Sequence, residues 1–212
     1  MWKLSKRTVF LLALALGVAE ARFISPRLGV VQSCQPKVVK IGVIPYVGRG
    51  HFIGSGAIVS SDGSILTCAH LVGMPGKIFV KTASGQTYLA HIVRVDHTVD
   101  LAVIKIDAVY PLPYFRLGDD PKIGQFVMAF GSPLDIQGTV SFGYVENLNG
   151  GPSKLTIHGC PTNPGNSGGP LVDQNGRIVG VNVAVLLINP FQIAQGLSIA
   201  VNLETIRDFV RN

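Results

Sequence analysis

The stretch TNPGNSGGPLV, residues 162–172, sets Ser167 among glycines and prolines and then leads into an apolar segment. A surface linker would also be rich in glycine, but it would not usually continue into PLV and then GRIVGVNVAVLL, residues 176–187. Glycine allows backbone conformations and close approaches that a side chain would prevent. The stretch therefore indicates a loop whose main chain must itself reach another group.

The chain on either side of this loop has the pattern of a β-protein. Apolar and β-branched runs are separated by turn residues such as Ser61-Asp62-Gly63 and Ser84-Gly85, which predicts about twelve short strands. Turn signals at intervals of roughly 8–12 residues are typical of β-barrels or sandwiches. Only the C-terminal end predicts a helix, where Asn202 can cap residues 203–211.

The composition limits the class of protein. With 212 residues, of which 47% are hydrophobic and 14% charged, the chain can bury one sizeable core or fill two small barrels. The formal net charge of +6 falls to +4 if residues 1–21, which carry three basic and one acidic side chain, are removed. No basic stripe accompanies this mild bias, so we expect no nucleic-acid partner.

The first 21 residues have the pattern of an export signal. Three basic residues precede an apolar run of 11 residues, Val9–Ala19, and Ala19-Glu20-Ala21 offers small residues at a cleavage position. The run is short for a membrane span, which needs about 20 residues. We expect a signal peptide cleaved after Ala21 and an exported protein, periplasmic or secreted. The alternative is an uncleaved membrane anchor.

Ser167 needs a base beside it to act as a nucleophile, because a serine hydroxyl is a poor nucleophile at neutral pH. Its surroundings fit the G-x-S-x-G pattern of α/β-hydrolases, but that fold needs a histidine after the serine. All five histidines of this chain precede Ser167. The remaining order, with His70 at the end of SILTCAH and Asp100 at the start of DLAVIKI, is that of barrel-type serine proteases.

An imidazole suits the role of the base because its ordinary pKa, about 6.5, lies close to working pH. A carboxylate behind the ring fixes its tautomer, and we favour Asp100 because it opens a buried strand. Asp62 is interpreted as a turn residue and Asp96 as a solvated one. The backbone N–H groups of Gly165 and Ser167 can stabilise the negative charge that develops on a substrate oxygen.

Six segments together resemble a known family. They are GSGAIVSSDGSILTCAH (54–70), DLAVIKID (100–107), LGDDPKIGQFVMAFGSP (117–133), GTVSFGYV (138–145), NPGNSGGPLVDQNGRIVGVN (163–182) and GLSIAV (196–201). In this order and over about 150 residues, the chain resembles the HtrA/Deg branch of the trypsin-like serine proteases.

The resemblance implies an all-β fold of two six-stranded antiparallel β-barrels with a short C-terminal helix. The barrels would occupy about residues 38–112 and 113–201, and the helix about residues 203–211. Residues 38–212 would then form the protease domain, preceded by an N-terminal segment at residues 22–37. The active site would lie in the cleft between the barrels.

The resemblance also implies roles for the site residues. His70 would be the general base, Asp100 its orienting partner and Ser167 the nucleophile that forms an acyl-enzyme intermediate. The oxyanion hole would consist of the N–H groups of Gly165, Asn166 and Ser167. The substrate pocket would be lined by Thr162, Val183, Ala184 and Val185. Because none of these is acidic, the resemblance implies a preference for small or medium apolar P1 side chains.

The expected activity is hydrolysis of peptide bonds in unfolded or exposed polypeptides. The alternative is a latent or inactive protein with a protease fold that binds polypeptides as a chaperone does. Members of the branch are often trimers through their N-terminal segments, so residues 22–37 are available for a homotrimer. They usually carry C-terminal PDZ domains, and regulation through such a domain is not expected for this sequence.

No cofactor or metal is expected from the sequence. The chain lacks the HExxH and EF-hand patterns, and its histidines and cysteines lack the spacing of ligand motifs. Cys34, Cys68 and Cys160 are an odd set in which one pair could form a disulfide in an oxidising compartment. We favour Cys68 as a small, buried, apolar side chain. Contact with a membrane is expected only through an uncleaved N-terminal segment.

Overall fold

The computed structural model describes residues 27–46, 50–133, 136, 138–150, 155–189 and 192–211, without the side chains of residues 52, 150, 184–189 and 192–195. The predicted signal peptide or anchor, residues 1–21, and part of the predicted N-terminal segment lie outside this range. Within these limits, no helix is both long and apolar enough to cross a membrane.

The described chain consists mainly of strands. A helical segment, α1 (27–34), and a short 3-10 helix, Gln35–Lys37, precede the first strand. The first six strands are β1 (Val38–Ile44), β2 (His51–Ile58), β3 (Ser64–Thr67), β4 (Lys77–Lys81), β5 (Thr87–Asp96) and β6 (Leu101–Ile106), with helix α2 (Ala69–Val72) after β3. The second six are β7 (Phe126–Gly131), β8 (Thr139–Gly150), β9 (Leu155–His158), β10 (Pro170–Val172), β11 (Ile178–Asn189) and β12 (Gln192–Asn202), followed by helix α3 (Leu203–Arg211).

The twelve strands close into two antiparallel barrels. The order around the first is β1-β2-β3-β6-β5-β4, and around the second it is β10-β11-β12-β9-β8-β7. Closure leaves no strand edge unpaired and fills each interior with alternate side chains. The prediction of an all-β fold with two six-stranded barrels and a short C-terminal helix is confirmed.

The prediction that only the C-terminal end is helical was wrong. Helix α3 begins where expected, and the Thr205 N–H donates to the capping Asn202 Oδ1 at 2.9 Å. The chain is also helical at residues 27–34 and at Ala69–Val72. The latter has four residues, too few to show a helical period in the sequence, and it forms because the tertiary contacts around it hold one turn in place.

The connection between the barrels is hydrogen-bonded to both of them. The Phe115 N–H donates to Ile58 O in the first barrel, and the Gly118 N–H donates to Ile178 O in the second, each at 2.8 Å. Phe115 is also fully buried within a hydrophobic cluster that contains side chains of both barrels. The two barrels therefore share one core, which fixes the cleft between them.

Helix α3 follows the second barrel and packs back across to the first. Leu203, Ile206 and Phe209 form its buried face. The guanidinium of Arg94 on β5 lies 4.7 Å from the centre of the Phe209 ring, within the range of a cation–π contact. This contact joins the last helix to the first barrel and completes the inter-barrel seam.

Candidate active site

His70 and Asp100 meet at the edge of the first barrel. His70 lies in the short helix α2, and Asp100 comes directly before β6. The His70 Nδ1 and the Asp100 Oδ2 are 2.8 Å apart, and the backbone N–H of His70 donates to Asp100 Oδ1 at 2.9 Å. Two hydrogen bonds to one carboxylate fix both the position and the tilt of the imidazole ring.

The backbone at Asp100 is unusual because its φ is +55°. This left-handed conformation is rare for a residue with a side chain, although aspartate tolerates it better than most. It is the only such residue other than glycine in the described part of the chain. The turn points the carboxylate of Asp100 back at the helix that carries His70.

The carboxylate of Asp100 remains ionised at neutral pH. Burial alone would raise its pKa, but the hydrogen bonds from the ring and the backbone of His70 outweigh burial, so the net pKa lies below its ordinary value. An ionised Asp100 accepts a hydrogen bond from the N–H at His70 Nδ1, which leaves Nε2 as the basic nitrogen. The His70 side chain is 47% exposed, so the ring borders solvent.

Ser167 lies in a loop whose backbone requires glycine at two positions. Gly165 and Gly168 have φ values of +103° and +80°. A Cβ on Gly168 would lie 2.2 Å from both the backbone oxygen of Ser55 and the Oγ1 of Thr67. The loop is therefore pressed against the first barrel, and the Ser55 N–H donates to Ser167 O at 2.8 Å.

Two of the three predicted oxyanion donors remain open. The Asn166 N–H donates to Asn163 O at 3.0 Å, so it is already engaged inside the turn. Among hydrogen bonds between described residues, none has the amide of Gly165 or of Ser167 as its donor. In this conformation the amides of Gly165 and Ser167 have no hydrogen bond to a described residue, whereas the amide of Asn166 has one.

The orientation of this loop depends on Ser55. Its hydroxyl donates to Gly165 O at 2.6 Å and accepts the N–H of Ser132 at 2.9 Å. These two hydrogen bonds fix the carbonyl oxygen of Gly165 against the first barrel. The sequence contained a signal for this residue, since Ser55 stands between two glycines in GSG, but its role was not predicted.

The hydroxyl of Ser167 points to β11. It donates to Val183 O at 2.5 Å, and no hydrogen bond between the described residues joins it to the ring of His70. The two halves of the site are nevertheless tied together. The backbone oxygen of Asn182 accepts the Gly168 N–H at 2.7 Å and the Cys68 thiol at 3.4 Å, so one oxygen links the serine loop to the residue directly before α2.

The predicted pocket residues are adjacent to this loop. Thr162 is buried, and its Oγ1 lies 2.8 Å from the Oγ of Ser198, which donates in turn to Cys160 O at 2.8 Å. Val183 is half-buried, while the side chains of Ala184 and Val185 lie outside the described structure. Their backbones pair with Ile199 and Ser198 of β12.

Four further residues around the site carry polar groups to which the sequence analysis gave no role in the site. Cys68 is free and fully buried, as predicted for its side chain, and burial raises the pKa of its thiol well above its ordinary value. His158 is fully buried on β9 and has no hydrogen bond from either ring nitrogen to a described residue. The other two are Asn182, also buried, and Ser55.

Comparisons with known proteins show the family of this chain. A family model for the trypsin-like peptidase domain matches residues 54–181. Serine protease HTRA1 of Xenopus tropicalis is 37% identical over 197 residues, covering 85% of this chain and 41% of the relative. Putative protease Do-like 14 of Arabidopsis thaliana is 34% identical over 199 residues, covering 84% and 45%. The chain thus spans less than half the length of these curated relatives.

The solved structures include a close match in fold. The structure described as the HtrA-type protease AlgW with tripeptide superimposes with a TM-score of 0.79 at 27% identity. The match covers 87% of this chain and 62% of that one. The similarity therefore extends over both barrels and across the cleft between them.

Proposed function

This chain belongs to the trypsin-like peptidase family, and from that premise we propose that it is a serine endopeptidase with Ser167, His70 and Asp100 as its catalytic residues. The observation that carries the proposal is the His70–Asp100 pair, 2.8 Å between Nδ1 and Oδ2, beside a serine loop with two unengaged amides. A trypsin-like mechanism requires each of these parts.

The proposed reaction starts with the Ser167 hydroxyl attacking the carbonyl carbon of the scissile peptide bond. His70 Nε2 takes the hydroxyl proton, and Asp100 stabilises the imidazolium that forms. The N–H groups of Gly165 and Ser167 bind the oxygen as it becomes negative. His70 then returns the proton to the leaving amine, and water hydrolyses the acyl-enzyme by the same steps.

The Ser167 hydroxyl must turn for this reaction. Its bond to Val183 O holds it in a resting position, so the proposed attack requires the side chain of Ser167 to change rotamer, away from β11 and towards His70. Catalytic hydrogen bonds are often long or misdirected before substrate binds. The same bond also supports a second candidate function, in which the protein is latent and binds polypeptides without cutting them.

The proposed substrates are unfolded or exposed polypeptide segments. A polypeptide can reach the half-exposed His70 in an open cleft between barrels. The predicted pocket residues are neutral, with Thr162 tied to Ser198 and Val183 offering an apolar wall. These features favour small or medium apolar side chains at P1 over lysine or arginine.

A fluorophosphonate probe and a casein-cleavage assay test this function directly. The wild-type protein is expected to react with the probe and cut casein, while Ser167→Ala does neither, with a loss of about four orders of magnitude in turnover. Ser84→Ala, in the distant β4–β5 turn, is the matched control and should behave like the wild type. A wild-type protein that binds casein but neither cuts it nor reacts with the probe would favour the latent protein instead.

We further propose that residues 1–21 direct export and that the protein forms a homotrimer through residues 22–37. The support is the basic-apolar-small pattern of the first segment and the resemblance to a branch that is often trimeric. N-terminal sequencing of the exported protein should begin at Arg22. Light scattering should give three times the mass of the chain, and a monomer mass contradicts the trimer.

A further inference from the structure

Three metal-binding side chains converge beside the cleft. The Sγ of Cys68, a ring nitrogen of His70 and a carboxylate oxygen of Asp100 all lie within 4.8 Å of one another. Cys68 and His70 form a C-x-H pair at the start of α2, but Asp100 is 30 residues further along the chain. Motif spacing therefore predicted no metal site, because only the fold brings the third ligand to the other two.

We propose that Cys68, His70 and Asp100 form an inhibitory binding site for Zn²⁺. The donor set of one thiolate, one imidazole and one carboxylate is one that Zn²⁺ accepts, with bonds of about 2.3 Å to sulfur and about 2.0–2.2 Å to nitrogen and oxygen. Three protein ligands leave a fourth tetrahedral position for water, as in zinc sites that keep one coordination position open.

The separations between the ligand atoms, which all lie within 4.8 Å of one another, must adjust to those of a tetrahedral ion. Ligand atoms around a tetrahedral Zn²⁺ lie about 3.3–3.8 Å apart, a separation that follows from those bond lengths. The pair of His70 and Asp100 must open from 2.8 Å by roughly half an ångström. Their side chains are 47% and 27% exposed, which gives the ion a path from the cleft, while the buried Cys68 closes the inner side.

Binding of Zn²⁺ changes the protonation of Cys68 and His70. The thiol of Cys68 loses its proton to solvent as sulfur bonds to the ion. The proton on His70 Nδ1 is exchanged through solvent to Nε2, because Nδ1 now bonds to the metal. A His70 with a proton on Nε2 cannot accept the proton of Ser167. The inhibition follows from the proposed function, whereas the binding does not depend on it.

Cobalt spectroscopy tests binding without using activity. Co²⁺ added alone to the full chain should give visible bands of a tetrahedral ion, with a sulfur-to-cobalt charge-transfer band, at one ion per chain. Ser167→Ala should give the same spectrum, since Ser167 is not a ligand. A Cys34→Ala/Cys160→Ala double variant, which leaves Cys68 as the sole thiol, should keep the charge-transfer band.

Changing the ligand itself should remove the spectrum. Cys68→Ala is expected to lose the charge-transfer band and to weaken Zn²⁺ binding more than about 100-fold. Cys68→Ser preserves the shape of the side chain and should lose the band as well. Absence of the band from the wild type, or its loss in the double variant, overturns the proposal even if neither Cys68 variant folds.

Inhibition is measured separately from binding. Zn²⁺ at ten times its dissociation constant should lower the rate of peptide cleavage about tenfold, and a chelator should restore it. The ratio of rates with and without Zn²⁺ should approach one in Cys68→Ser. Equal inhibition of wild type and Cys68→Ser would show that other groups hold the ion. A cobalt spectrum from a protein that cleaves nothing would uphold the site and reject only the proposed function.

Discussion

The buried ring of His158 should make the stability of the second barrel sensitive to mild acid. The side chain is fully buried on β9, and burial lowers its pKa from 6.5 to about 4, with only a partial offset from the side chain of Asn182. Neither ring nitrogen has a hydrogen-bond partner among the described residues. The folded protein therefore holds this imidazole in its neutral form at neutral pH.

The size of this change in the free energy of unfolding follows from the shift in the pKa of His158. A fall from 6.5 to about 4 is roughly two and a half pKa units, at about 1.4 kcal/mol for each unit. Between these values the unfolded chain binds a proton at His158 and the folded chain does not. The free energy of unfolding therefore falls as pH decreases through this window, by about 3 kcal/mol at pH 4 relative to neutral pH.

Urea unfolding of wild type and His158→Leu at about pH 7.5 and at about pH 4 isolates this effect. Leucine removes the titrating ring but keeps an apolar side chain in the barrel. The wild type should lose about 3 kcal/mol more than the variant between the two conditions. Carboxylates whose pKa values are lowered, such as Asp100, destabilise both proteins alike and cancel in the difference.

The control is His91→Leu, which removes an exposed histidine from β5. It should keep the wild-type dependence on pH. If wild type and His158→Leu lose the same free energy of unfolding within about 0.5 kcal/mol, the ring is not held neutral in the folded state and the reasoning fails.

Three further predictions concern the site and the seam. Ser55→Ala removes the hydroxyl that donates to Gly165 O. Steady-state kinetics should show kcat lowered about 10–100-fold with KM little changed. An unchanged kcat would contradict a positioning role for Ser55. A peptide library should be cut mainly after small or medium apolar residues, and mass spectrometry showing cleavage chiefly after lysine or arginine refutes the neutral pocket. Arg94→Ala removes the contact with the Phe209 ring and should lower the free energy of unfolding by about 0.5–2 kcal/mol, as measured by urea titration. No measurable loss would show that this contact does not stabilise the fold.

The strands were predictable because each has a local signal. Residues 77–96 show two apolar runs around Ser84-Gly85, and the structure has β4 and β5 on either side of that turn. The C-terminal helix was predictable for the same reason, since Asn202 and the apolar positions of α3 lie within one short segment. Signals of this kind need no knowledge of distant residues.

The finer chemistry of the site was not predictable because it depends on contacts between distant residues. The hydroxyl of Ser55 reaches Gly165 O across 110 positions of sequence, and Cys68 meets Asn182 O across 114. No periodicity marks such pairs. The engagement of the Asn166 amide with Asn163 O was missed for a different reason, since it depends on how one turn folds and not on which residues it contains.

The cation–π contact between Arg94 and the Phe209 ring has a consequence for folding during synthesis. Phe209 is synthesised after His70, Asp100 and Ser167, the three residues proposed to be catalytic. Each barrel can close before α3 is made, but the contact between α3 and the first barrel forms only afterwards. A partly synthesised chain thus carries Ser167 in a cleft whose two sides are not yet joined by this contact.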